Sequence, residues 1–82
     1  MQIPIEELST IREKLDKIDS KIAKLLRERA LEIFKIGQIK KKKKLPLIDH
    51  KREKEILENL ETEYEKTIFR KIIRESRKIQ QL

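Results

Sequence analysis

The stretch IEELSTIREKLDKIDSKIAKLLRERALEIFKIGQIKK, from Ile5 to Lys41, decides the fold. It contains no proline, and its single glycine is Gly37. Apolar residues recur at Leu8, Ile11, Leu15, Ile18, Ile22, Leu25, Leu26, Ile33 and Ile36. Steps of three and four place these residues on one face of a helix. The reading is one long helix over about 5–41, roughly 52 Å at ~1.5 Å per residue. Beyond it the pattern breaks. A lysine run from Lys40 to Lys44 leads into Leu45-Pro46, and proline disfavours helix at the residue before it, so a loop is expected at about 42–48. Asp49 is a suitable N-cap for a second helix at about 49–63, because its carboxylate can accept from the first free backbone N–H groups. That helix is read with Ile56, Leu57, Leu60 and Tyr64 facing inward. After a short polar join, a third helix at about 67–81 carries Ile68, Phe69, Ile72, Ile73 and Ile79. No stretch alternates with period two, so no strand is expected. The fold class is therefore all-α, with three helices in a single domain over 1–82.

The relative lengths carry a further consequence. Two helices of roughly 22 Å each cannot cover an apolar stripe of roughly 52 Å from one side. A stripe of that length, left bare, associates. A second copy of the chain is the simplest cover, and symmetric homodimers are the commonest oligomers. The expectation is an intertwined homodimeric helical bundle.

Composition narrows the chemistry. The chain has 82 residues with one Gly, two Pro, no Cys, no Trp and one His. No thiolate zinc site, cysteine nucleophile or disulfide framework can be built from it. A single glycine excludes a glycine-rich phosphate loop or dinucleotide fingerprint. No apolar run approaches the roughly 20 residues of a membrane span, and Met1 to Pro4 lacks a basic-then-apolar leader pattern. The chain is read as soluble and cytoplasmic. Lys and Arg total 22 against 15 Asp and Glu, a net charge of +7, which points to an anionic partner or to a solvated basic surface. Nucleic acid is disfavoured as that partner, since aromatic content for stacking is only 4% and no glycine-turned helix pair is present.

The informative residues are polar ones on apolar faces. Arg29 interrupts the stripe of helix one, and Lys40, close to three turns later, points the same way about 16 Å along the axis. On the third helix, Ser76 and Gln80 lie one turn apart beside Phe69, Ile72 and Ile73. Glu53 leads the inward side of the second helix, one turn before Leu57. Four of them have a plain explanation: an arginine that snorkels or pairs with an internal carboxylate, a solvated lysine, a serine bonded to its own backbone, a frayed glutamine. Together they suggest a net cationic pocket between helices, a common place for ligand sites.

These residues, in this order, resemble the all-helical (AroQ-class) chorismate mutases over nearly the whole chain. The resemblance rests on Ile11-Arg12-Glu13-Lys14, Arg29, Gly37-Gln38-Ile39-Lys40, Asp49-His50-Lys51-Arg52-Glu53, Ser76 and Gln80-Gln81. It implies an intertwined dimer of three-helix chains with two equivalent sites. It also implies the Claisen rearrangement of chorismate to prephenate, on the way to phenylalanine and tyrosine, with no metal or organic cofactor. By resemblance, Arg12 and Arg29 clamp the substrate carboxylates with Ser76 assisting. Lys40 and Gln80 donate to the ether oxygen, Glu53 accepts from the ring hydroxyl near Asp49, and Arg52 completes the electrostatic wall.

Helix geometry restricts one of these roles. Arg12 and Lys40 stand about 42 Å apart on a continuous helix, too far for one small ligand. If both serve one site, Arg12 comes from the partner chain. The alternatives left open are a basic helical nucleic-acid-binding protein, a non-catalytic dimerisation module, and an isochorismate-pyruvate lyase on the same fold. The run Lys41 to Lys44 is not required by the resemblance, and it reads either as a solvated loop or as a basic funnel for a dianion.

Overall fold

The computed structural model describes residues 5–82, so the reading of Met1 to Pro4 as lacking a leader lies outside the described residues. It contains three helices, α1 (Ile5–Lys43), α2 (His50–Glu58) and α3 (Glu63–Gln80), and no strand among the described residues. The all-α expectation holds. The helix boundaries differ from the expected ones in three places, each with a local cause.

The first helix runs two residues past its expected end. Lysine is a good helix former, and Lys40 to Lys43 place four cations in the last turn, where they oppose the negative end of the helix dipole. Lys44 then takes the left-handed conformation with φ of 56°. Its N–H bonds to the Lys41 carbonyl at 3.3 Å, and the Leu45 N–H reaches back to the Lys40 carbonyl at 2.8 Å. This pair of bonds is a Schellman stop, with lysine at the position glycine usually fills. The lysine run is thus mostly the end of a helix.

The second helix is shorter than expected and the third starts earlier. Asp49 caps α2, its carboxylate accepting from the Arg52 backbone N–H at 3.0 Å. The helix ends at Glu58, with Asn59 as C-cap, instead of continuing to about 63. The reason is a capping box. Thr62 Oγ1 accepts from the Glu65 N–H at 3.1 Å, and Glu65 Oε2 accepts from the Thr62 N–H at 2.7 Å, so a new helix starts where a polar join was expected. Tyr64 consequently falls in the first turn of α3 and is 78% exposed, not inward-facing.

Packing is concentrated at one end. The C-terminal half of α1 lies against α3, and α2 folds back onto α3. Among the described residues only Gly37, Ile73 and Ser76 are buried, and no large side chain is fully enclosed. The N-terminal half of α1 projects from this cluster, with every position from Ile5 to Ile22 exposed. One close approach fixes α1 against α3. A Cβ on Gly37 would lie 2.6 Å from the Gln80 carbonyl oxygen and 2.7 Å from its Cα, so only glycine lets the two backbones meet here.

Candidate active site

Between the three helices lies a cavity of about 340 Å³, within the range of small-molecule sites. Of the eight residues singled out from the sequence, seven line it. From α1 come Arg29 and Lys40, from α3 come Ser76 and Gln80, and from the start of α2 come Asp49, Arg52 and Glu53. Apolar walls are supplied by Ile33, Ile36, Leu47, Ile56 and Ile73. Arg12 does not line it. It sits on the bare half of α1, 17 positions before Arg29 and so about 26 Å away along the axis.

Each polar group is held by a specific partner. Arg29 Nη1 donates to Ser76 Oγ at 2.5 Å, and Ser76 in turn donates to the Ile72 carbonyl at 2.6 Å. Ser76 thus bonds its own backbone, as a plain reading allows, and also orients the arginine. A guanidinium has five N–H donors, so Arg29 retains most of its capacity. Its partner is a neutral hydroxyl, and no carboxylate among the described residues lies within ion-pair distance of it. Burial, and then repulsion from Arg52, push the Arg29 pKa below the ordinary arginine value. An arginine so shifted stays charged.

Lys40 donates to the Leu47 carbonyl at 2.7 Å and to Gln80 Oε1 at 2.7 Å. Two of its three N–H groups are used and one remains. An ammonium can only donate, so the glutamine must turn its oxygen to it. The Gln80 amide NH₂ is then left to donate elsewhere, and no acceptor among the described residues takes it. The last turn of α3 is not left to fray. Gln38 Nε2 donates to the Leu82 carbonyl at 3.3 Å, and Lys41 Nζ donates to the carbonyls of Leu82 and, at 3.3 Å, Gln81.

At the opposite wall, Glu53 is gripped from outside the cavity. Arg77 Nε donates to Glu53 Oε2 at 3.0 Å and Arg77 Nη2 donates to Oε1 at 2.5 Å. Sequence reasoning missed Arg77. A signal was present: it lies four residues after Ile73, hence on the edge of the buried face, but the sequence does not tell which helix that edge meets. The Leu47 carbonyl was also missed, because a backbone acceptor leaves no trace in residue identity. Among the described residues no cluster of His, Cys, Asp or Glu is placed to hold a metal ion. No helix among them is long and apolar enough to cross a membrane.

Comparison with known proteins agrees with this architecture. Residues 11–81 match the family described as chorismate mutase type II. A bifunctional chorismate mutase/prephenate dehydratase from Aquifex aeolicus is 45% identical over 56 residues, covering 68% of this chain and 16% of that protein. A chorismate mutase from Methanocaldococcus jannaschii is 41% identical over 56 residues, covering 68% of this chain and 57% of that protein. The chain thus spans less than two thirds of the length of each of these two curated relatives. Among solved structures, a conserved hypothetical protein from Pyrococcus furiosus superposes with a TM-score of 0.84 at 39% identity, over 90% of this chain and 95% of that one. The family match takes in α1 from residue 11 onward, α2, α3 and every cavity-lining residue named above, and on that ground this chain belongs to the chorismate mutase type II family.

Proposed function

We propose that this chain rearranges chorismate to prephenate, as a cytoplasmic homodimer. The observation that carries the reading is Arg29: half-buried, facing a closed wall of helices, bonded to a neutral hydroxyl and repelled by Arg52. A cavity with that charge distribution favours an anion, and chorismate carries two carboxylates.

The reaction asks little of a protein in covalent terms. The ether C–O bond breaks as the new C–C bond forms within one molecule, so no nucleophile, proton transfer or external electron is needed. What accelerates it is confinement of a compact chair-like conformer and stabilisation of the negative charge that grows on the ether oxygen. Arg29, kept in place by Ser76, takes one carboxylate. Arg12 of the second copy takes another, since its own chain holds it too far away. The remaining N–H of Lys40 and the amide of Gln80 donate to the ether oxygen. Glu53 accepts from the ring hydroxyl, while Asp49 and Arg52 shape the field at the α2 end. Donors already oriented by Leu47 and by each other need no reorganisation as charge develops, which is the economical form of such catalysis.

The test is loss of chorismate absorbance with purified protein, followed by identification of the product. Prephenate is expected, with kcat/KM falling roughly 10²–10³-fold in Arg29→Ala, as for other groups that meet developing or substrate charge. No turnover, or release of pyruvate in its place, overturns the proposal.

A further inference from the structure

Arg77 belongs to none of the groups that face the cavity, yet it makes the one ion pair among the described residues that joins two helices. Every other pair links side chains three or four apart within a single helix. In each of those at least one partner is well exposed, and such pairs contribute little. The Arg77–Glu53 pair differs in burial and form. Its partners are 33% and 20% exposed, and the contact is a two-pronged fork at 3.0 Å and 2.5 Å. Such forks fix orientation as well as distance.

We propose that Arg77 is a positioning residue, whose fork holds the Glu53 carboxylate at the cavity wall, aimed to accept a substrate hydroxyl. The proposal rests on the mutase reading. A carboxylate has about four lone-pair positions, so two remain after the fork is made. Neutralisation matters as much as aim. Glu53 shares a cavity of about 340 Å³ with Arg29, Lys40 and Arg52. Released from Arg77, it would swing to one of these cations and cancel the charge that draws a dianion. Held from behind, it presents an acceptor while leaving Arg29 and Lys40 free of any carboxylate, Arg52 being already paired to Glu55 at 3.6 Å. The hydrogen bond to Glu53 also raises the Arg77 pKa above the ordinary arginine value, in keeping with a guanidinium committed to one partner. The arrangement gives α3 two grips on the site from adjacent residues: Ser76 on Arg29 of α1, and Arg77 on Glu53 of α2.

Two measurements test this. Arginine side-chain ¹⁵N NMR of the intact protein reports the fork without reference to activity. Slow rotation of the Arg77 guanidinium is expected, released in Glu53→Gln; free rotation in the unaltered protein overturns the proposal, whatever the enzyme does. The second is a kinetic cycle with chorismate. Arg77→Met is expected to lower kcat/KM roughly 10²-fold, the scale of a misplaced catalytic group, with a nearly unchanged unfolding midpoint. In a Glu53→Gln background the same change is expected to cost less than threefold. Equal losses in both backgrounds would show that Arg77 does not act through Glu53. Arg77→Lys, which restores a point charge but no fork, is expected to recover only a minor part; full recovery would overturn the geometric claim. Failure of the unaltered protein to turn over chorismate would sink the mutase reading, and the NMR result would still decide whether Arg77 holds Glu53.

Discussion

Gln80 and Gly37 show how much a single side chain, or its absence, settles. The Gln80 amide is aimed by Lys40, which takes its oxygen and leaves the NH₂ to donate. Gln80→Ala is expected to lower kcat by about 10²-fold, the usual cost of one such donor, with KM little altered; a near-normal rate would show Lys40 sufficient alone. Gly37 is where two energetic rules oppose each other. In an isolated helix, Gly→Ala stabilises by about 1 kcal/mol. Here the new methyl would meet Gln80 backbone at 2.6 Å, and overpacking of this kind costs about 1–3 kcal/mol. Gly37→Ala is therefore expected to lower the unfolding midpoint, and to lower kcat along with it by displacing Gln80. A rise in the midpoint would mean that the approach of α1 and α3 is looser in solution. From the sequence Gly37 was visible as the one glycine of a long helix and as part of the Gly37-Gln38-Ile39-Lys40 stretch of the resemblance. That it marks a backbone crossing could not be read, because the residue it touches is 43 positions away.

Helix starts and stops follow local chemistry, and local chemistry was partly overlooked. Asp49 was readable as a cap because it precedes the apolar pattern of α2. Thr62-Glu63-Tyr64-Glu65 carries the spacing of a capping box just as openly, but the periodicity of Leu57, Leu60 and Tyr64 runs straight through it. The competing signal won because two satisfied backbone donors outweigh one tyrosine placed on an apolar face. Thr62→Ala is expected to destabilise the protein by about 1 kcal/mol in chemical denaturation. The pH dependence follows from the partner. Hydrogen bonds from the Thr62 backbone, then from its hydroxyl and from the Glu61 backbone, hold the Glu65 pKa below the usual glutamate range. A carboxylate with a depressed folded pKa contributes stability that is fully present above its unfolded value and is lost as pH falls through the folded one. Stability should therefore decline on acidification below about pH 4.5, and the decline should be shallower in Thr62→Ala; identical slopes would show that the box does not form.

Considered whole, one chain is elongated and not compact. Its radius of gyration is 17.2 Å, against about 12 Å for a compact domain of this length. The principal extents are 57 × 23 × 15 Å, the longest of them set by α1 alone. Along the projecting half, Leu8, Ile11, Leu15, Ile18, Ile22 and Leu25 stay in solvent, Leu25 with 61% of its surface exposed. A second copy that buries this stripe against its own would also bring an Arg12 toward the cavity. Gel filtration is expected to give a dimer. Heterodimers of Arg12→Ala with Arg29→Ala are expected to regain activity, because one of the two shared sites then keeps both arginines. Verified heterodimers with no gain would refute the sharing.

Arg52, and Asp49 as a site residue, entered only through the family resemblance; the long helix, the all-α class and the cavity-facing Arg29, Lys40, Glu53, Ser76 and Gln80 were legible in residue order. Each depends on periodicity or capping within a few turns, where neighbours in sequence are neighbours in space. The exception within that range was the boundary between α2 and α3, where two local signals conflicted. The remainder required the packed chain: the meeting of Gly37 with Gln80, the turning of the Gln80 amide by Lys40, and the grip of Arg77 on Glu53. These contacts join residues 24 to 43 positions apart. They depend on how three helices cross, and a crossing is chosen by the summed packing of whole faces, which no single segment of sequence encodes.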